Sequence, residues 1–321
     1  MPLPLALLLL AGASAPHPSD LKTIRDWVVG CDNGRACAAA GLMPEDVYDA
    51  ATAGIARGAE ANAAADVWVN VPEGVPAAAL VDGRRFELRA GSDAGYRASD
   101  PAGLLAALAA GRAAVVVDSA GKPLGALSTA GIAAALLYMD EKQGRLGNVT
   151  ALVRKGPAPA SAVPPPPALP VVLSAPPSSK PPRRPTAKQI RAARGEDSCE
   201  RASDEQPAES YRLDARHSLA LVPVHCGSGA YNFLSVPLLL DEAGKVTTLK
   251  LEAEYDGLYN AEWDPKARRL GSYQKGRGIG DCGTTQTYAW DGAAFRLVEQ
   301  TEMRECRGSM DYITTWRARV K

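Results

Sequence analysis

Twelve prolines fall between Pro157 and Pro185 of this 321-residue chain. Proline fixes φ and has no backbone N–H, so such a stretch builds neither a helix nor a central strand. The segment reads "GPAPASAVPPPPALPVVLSAPPSSKPPRRPTAKQIRAARG" and predicts a polyproline II-like, disordered linker over 156–187. It divides the chain into 20–155 and 188–321, each long enough to bury its own core. Charge follows the same division. Residues 20–155 hold 14 basic and 16 acidic residues and 196–321 hold 16 and 20, while 156–195 hold six basic residues and no acidic one. A proline arm ending in Lys180, Arg183, Arg184, Lys188, Arg191 and Arg194 suits either an inert spacer whose charges keep it soluble or attachment to an anionic surface such as a cell-wall polyanion.

The chain begins "MPLPLALLLLAGASAPHPSD". An apolar run followed by small residues has the form of a secretory signal peptide, expected over 1–13 with cleavage after Ala13. The run is shorter than the roughly 20 apolar residues that span a bilayer, so no transmembrane span is expected in the mature chain. A periplasmic or secreted location follows. Six cysteines agree with it: Cys31, Cys37, Cys199, Cys226, Cys282 and Cys306. Sequence proximity favours the pairs Cys31–Cys37, Cys199–Cys226 and Cys282–Cys306. The first closes "CDNGRAC", whose Asn33–Gly34 predicts a type I′ hairpin turn. No C-x-x-C occurs, so thioredoxin-like chemistry and the common zinc sites have little support, and no metal is expected.

The N-terminal part reads as α+β. Hairpins are predicted around Asn33–Gly34, at Asp82–Gly83 and in "AAVVVDSAGKPLGALS", and "ADVWVNV" is a strand. "SDPAGLLAALAAG" is a helix with Ser99 or Asp100 as N-cap, Pro101 first and Gly111 past its end. "STAGIAAALLYMDEKQGR" is a second helix, capped by Ser128 or Thr129, with Ile132, Ala135, Leu136 and Met139 on its apolar face. Lys142, Gln143 and Arg145 close it, where cations suit the dipole. The C-terminal part alternates with period two after a short helix near Lys188–Arg194. About eight strands separated by turns at Glu242–Gly244, Asp264–Ala267 and Asp291–Gly292 predict an antiparallel meander or sandwich.

"GRGIGDCG", Gly276 to Gly283, contains a literal G-x-G-x-x-G. A dinucleotide loop needs a strand before it and a helix N-terminus after it. Here strand-like segments stand on both sides, so a glycine-rich turn pinned by Cys282 is expected, and no cofactor. Gly276, Gly278, Gly280 and Gly283 are expected to supply positive-φ positions.

"GRGIGDCGTTQTYAWDGAAFRLVEQTEMRECRGSMDYITTWRARV" resembles the C-terminal cassette of a proteobacterial envelope family, domain of unknown function 1176. "LLYMDEKQGRLGNVTALVRKG" is similar to the segment closing that family's N-terminal region. "DWVVGCDNGRACAAA" resembles its opening, with a distant look of invasion-associated locus B proteins. The resemblance implies export and a two-part layout, and supplies no reaction, cofactor or catalytic residue.

Chemistry is sparse. The histidines are His17, His217 and His225. His225 and Ser228 lie in "HCGSGAY", but no G-x-S-x-G elbow is present. A His225–Cys226 thiol site would need an unbridged Cys226. Glu252 and Glu254 fall on one strand face, which suits solvation as well as catalysis. Arg277, Asp281 and Arg307 flank the expected Cys282–Cys306 bridge, and Trp290 and Trp316 lie near it in sequence. These five residues form the candidate ligand surface. Neither folded part is basic, and no aromatics interleave the basic run, so nucleic acid is not an expected partner. The reading is a non-enzymatic binding or interaction module of the cell envelope, with an envelope protein or cell-wall polyanion as partner. The alternative is a periplasmic hydrolase using His217 or His225.

Overall fold

The structure is a computed structural model and describes residues 17–91, 95–195, 207–249, 251 and 257–321, the side chains of 225–228 and 248 excepted. The expected signal peptide, the Cys199–Cys226 pair, the side chains of His225 and Ser228, and Glu252/Glu254 lie outside the described residues. Among those described, three α-helices accompany a predominance of β-structure.

Ten N-terminal strands form one antiparallel sheet. They are β1 (Lys22–Ile24), β2 (Trp27–Cys31), β3 (Cys37–Gly41), β4 (Thr52–Arg57), β5 (Ala65–Asn70), β6 (Ala78–Val81), β7 (Arg84–Ala90), β8 (Tyr96–Ala98), β9 (Ala114–Val117) and β10 (Pro123–Leu127). Their spatial order is β1-β2-β3-β4-β5-β8-β7-β6-β9-β10. Helices α1 (Pro101–Ala110) and α2 (Ile132–Lys142) cover one face. Ile132, Ala135, Leu136 and Met139 are fully buried, as their spacing requires. Each large apolar side chain among them contributes about 1.5–3 kcal/mol. Asp100 caps α1 by accepting from the Gly103 amide, with Pro101 next in the chain.

Two local expectations change. The Asp82–Gly83 turn has both residues at positive φ, 47° and 83°, as a type I′ hairpin needs. Asn33–Gly34 does not form that turn. The chain bridges Cys31 and Cys37 through a longer loop in which Asp32 accepts from the amides of Gly34 and Ala36, and Arg35 takes φ 63°. Likewise, neither Ser128 nor Thr129 caps α2. The N-cap is Gly131 at φ 103°, where a Cβ would lie 2.1 Å from the Ile24 carbonyl oxygen, so only glycine fits. Ser128 instead donates to Asp26.

The proline-rich segment is not a detached arm. Residues 171–172 form β11 (Val171–Val172), which pairs in parallel with β22 (Arg319–Val320) at the C-terminus. Ala175 is buried and its amide donates to the Trp290 carbonyl at 2.9 Å. The physical reason lies in what proline leaves unpaired. A polyproline chain offers carbonyls with few amides, and arginines from both halves supply the donors. Arg35 donates to Pro164 and Pro165, Arg212 to Pro181, and Arg268 to Ala175 at 2.6 Å.

Helix α3 (Ala187–Arg194) follows, with a capping box between Thr186 and Gln189. Two five-stranded antiparallel sheets then complete the chain. The first holds β12 (Glu209–Arg212), β13 (His217–Ser228), β14 (Asn232–Asp241), β15 (Val246–Thr248) and β16 (Leu258–Tyr259). The second is a meander of β17 (Glu262–Asp264), β18 (Arg269–Lys275), β19 (Gly283–Trp290), β20 (Phe295–Met303) and β21 (Ile313–Arg317). Their core packs the aromatic rings of Trp263, Tyr288, Trp290 and Phe295 among leucines.

The halves meet through a third apolar cluster: Leu21, Val28, Ala40 and Leu42 against Cys282, Met303 and Ile313. Polar contacts frame it. Arg317 pairs with buried Asp32, and Trp68 and Asn70 donate to Asp311 at 2.7 and 3.2 Å. Trypsin is therefore expected to cut first at exposed Lys188 or Arg191, and the two fragments should co-elute in size-exclusion chromatography without denaturant. Separate elution would contradict the shared cluster.

Candidate functional site

The glycine loop, residues 276–282, joins β18 to β19, so strands stand on both sides of it as expected. Of the four glycines expected at positive φ, only Gly280 in the loop and Gly283 at the start of β19 take it, at 74° and 144°. Gly276 does not, yet a Cβ there would sit 2.6 Å from the Cys282 sulfur. Its value is clearance for the Cys282–Cys306 bridge.

Arg277, Asp281 and Arg307 do gather beside that bridge. Arg277 donates to Asp281 at 2.6 Å, and the fully buried Asp281 carboxylate also accepts from the Gly308 amide. Burial opposes ionisation of Asp281, but these donors hold its carboxyl below the usual range. Arg307 donates to Asp26 at 2.6 Å and to the Met43 carbonyl at 2.9 Å. With residues 43–48, Arg277 and Arg307 line a cleft of about 310 Å³ rimmed by Glu45, Asp46 and exposed Tyr48. Both cations are already spent on protein acceptors, so the cleft is first of all a joint between the halves.

Trp290 and Trp316 do not join this surface. Trp290 is 1% exposed, meets the His217 ring edge-on and a tilted Phe295 ring, and donates to Asp214 at 2.7 Å. Trp316, half-buried, donates to the Leu297 carbonyl. Both lie on strands whose apolar faces build the core. Gln143 and Arg145 are also buried rather than displayed at a helix end. Arg145 reaches Gln143, Thr150 and the Ala61 carbonyl, and Gln143 ties Arg35, Arg57 and Gly58 through their carbonyls.

His217 faces Asp214 through Nδ1 at 3.0 Å. Asp214 also accepts from the amides of Arg216 and His217. Burial raises the Asp214 pKa, but hydrogen bonds from Trp290, His217 and these amides outweigh it and bring it down to about 2. The pair closes the turn that starts β13 and anchors Trp290. His217 lines none of the clefts described.

The larger concavity went unread in the sequence. A groove of about 550 Å³ runs between the two C-terminal sheets, with a 290 Å³ extension sharing Glu209, Pro223, Ser235 and Ala261. Period two puts Glu209 and Tyr211 on one face of β12, and Phe233 and Ser235 on one face of β14. Strand β17 adds Glu262 and Trp263. Asn232 and Asn260 hold the junction: Asn232 exchanges hydrogen bonds with the Lys275 backbone, and Asn260 donates to the Tyr273 carbonyl and to Asn232. Tyr211 donates a short hydrogen bond to Glu209, and its ring lies 6.3 Å from Trp263. Burial, that bond and the nearby charges of Glu209 and Glu262 push the Tyr211 hydroxyl up to about 12. Among the described residues lining the groove, two are acidic, three carry aromatic rings and none is basic. Such a site attracts cations by carboxylate charge and by ring faces.

These features define a predominantly antiparallel β-protein with at least two disulfides and an acidic, aromatic groove. The family model described as "Protein of unknown function (DUF1176)" matches residues 21–319, and the chain belongs to that family. It is similar to the uncharacterised protein YpfG of Escherichia coli (strain K12), 28% identical over 207 residues, covering 56% of this chain. The chain spans about 55% of the length of that curated relative. No solved structure matches it. No helix among the described residues is long and apolar enough to cross a membrane.

Proposed function

We propose that this is an exported cell-envelope protein that works by binding, and that the groove between its C-terminal sheets takes a ligand bearing ammonium or guanidinium groups. The observation that carries this reading is the pairing of Glu209 and Glu262 with Tyr211, Phe233 and Trp263 in one concavity without a basic side chain in its described lining. The ligand is a free polyamine or a basic segment of an envelope protein. The apolar leader and the bridges Cys31–Cys37 and Cys282–Cys306 support an oxidising compartment outside the cytoplasm. Residues 20–155 and 188–321 are two folding units, each with its own core, docked through their shared cluster. Exposed Arg184, Lys188 and Arg191 support the additional contact with an anionic envelope surface.

The site is tested by nuclear magnetic resonance with spermidine as probe. Aromatic resonances of Tyr211, Phe233 and Trp263 are expected to shift saturably, while those of Trp68 and Trp27 stay fixed. Uniform small shifts across all tryptophans would reject a defined site.

A further inference from the structure

A second feature, in the N-terminal half, is independent of the groove. Segment 140–152 builds a buried polar knot between α2 and the end of β4. Arg57 donates to Asp140 at 2.7 Å, and both side chains are essentially inaccessible. Asp140 also accepts from the amides of Leu152 and Val153. Arg145 is buried beside them. Two guanidiniums thus share one buried carboxylate, because the nearby Glu60 side chain is exposed. A buried charge without a counter-charge is costly. Burial draws the pKa of Arg57 down, and burial with Arg57 beside it does the same for Arg145.

The excess charge lies next to open space. Arg57 lines a cavity of about 360 Å³, with Asn62, Ser99, Thr150 and Lys155 around it. The Arg57 Nε–H is buried and has no hydrogen-bond partner. Lys155, exposed, adds a second positive charge to the lining. Ala102, in the first turn of α1, lines the same space, so the positive end of that helix faces it. Asp100 lies there too, but its carboxylate is committed to the Gly103 amide.

We propose that this cavity binds a small anion, a carboxylate or a phosphate, held by the Arg57 guanidinium and by Lys155. The anion supplies the counter-charge that the Arg57–Asp140–Arg145 cluster lacks. The ligand is small because the cavity holds little more than a metabolite-sized molecule, and it is anionic because the lining carries Lys155, whose ammonium is exposed, and Arg57, already bonded to Asp140 and the Thr150 carbonyl, against the Asp100 carboxylate committed to Gly103.

The test uses the full mature chain. Inorganic phosphate and acetate are titrated calorimetrically at constant ionic strength, with chloride as the balancing salt, and thermal unfolding is followed in parallel. Saturable binding of at least one of them, with a raised midpoint, is expected. Lys155→Ala should weaken it on the order of tenfold, the loss of one charged contact, and leave the anion-free midpoint unchanged. Glu262→Gln, in the distant groove, should bind phosphate and acetate as wild type does. Arg57→Lys should abolish binding where it folds. The proposal is overturned if neither anion binds wild type saturably, or if Lys155→Ala binds as tightly as wild type.

Discussion

Replacing Asp140 by asparagine is expected to lower the unfolding free energy by about 3–5 kcal/mol, the cost of breaking a buried ion pair from one side. Among the described residues, Asp140 is the carboxylate paired with Arg57, and it accepts from two backbone amides of the following turn. The asparagine amide would face donors where the wild type presents acceptors. Glu141→Gln, one residue away and exposed, should stay within about 0.5 kcal/mol of wild type. Urea unfolding of the three proteins gives the answer, and a loss below about 1 kcal/mol at Asp140 would show that the knot contributes little.

The second large effect is expected at Asp214. Asp214→Ala strands the buried Trp290 N–H and removes the acceptor for two turn amides. An unpaired buried donor alone costs about 1–3 kcal/mol, so about 3 kcal/mol in total is expected. The pH dependence has a defined sign. The folded-state pKa is depressed to about 2, against an ordinary 3.8. The stabilisation is therefore complete above the ordinary value and is lost as pH falls through the folded one. Between about pH 4 and pH 2 wild type should lose about 2 kcal/mol from this group. Asp214→Ala should lose correspondingly less over the same interval. Parallel pH–stability curves for the two proteins would refute the assignment.

Asp214 also shows where sequence reasoning stops. Its partners Trp290 and His217 stand far apart in the chain, and only the adjacency of the two sheets joins them. Trp290 looked like a surface residue because Cys282 and Arg277 are its sequence neighbours, but alternation along β19 turns it into the aromatic core. Local features were legible because local geometry determines them: the Asp82–Gly83 turn, the Asp100 cap, the buried stripe on α2 and the short helix α3. The antiparallel character of the C-terminal part was legible from period-two alternation. Strand adjacency was not. The groove draws Glu209, Pro223, Ser235 and Glu262 from four strands, and alternation tells which residues share a face without telling which faces meet. Glu209-x-Tyr211 and Phe233-x-Ser235 were the available signals, each a polar and an aromatic residue on one face. The knot was hidden for another reason. Gln143 and Arg145 follow a helix end, where polar residues usually meet solvent, and the turn through Asn148 and Thr150 folds back to cover them. The proline segment misled because composition reports stiffness well and docking poorly. Its carbonyls are held by arginines that sequence cannot assign to it.

The groove itself is tested most directly by calorimetric titration of wild type and of the Glu209→Gln/Glu262→Gln double variant with trilysine at low and at moderate salt. Both glutamates are exposed, so the double variant should fold as wild type does. A groove that recognises cations predicts saturable binding to wild type, weakened by salt. It also predicts affinity lower by on the order of tenfold or more in the double variant, about 1 kcal/mol per carboxylate. Absence of binding to wild type, or equal affinity in both proteins, would contradict it.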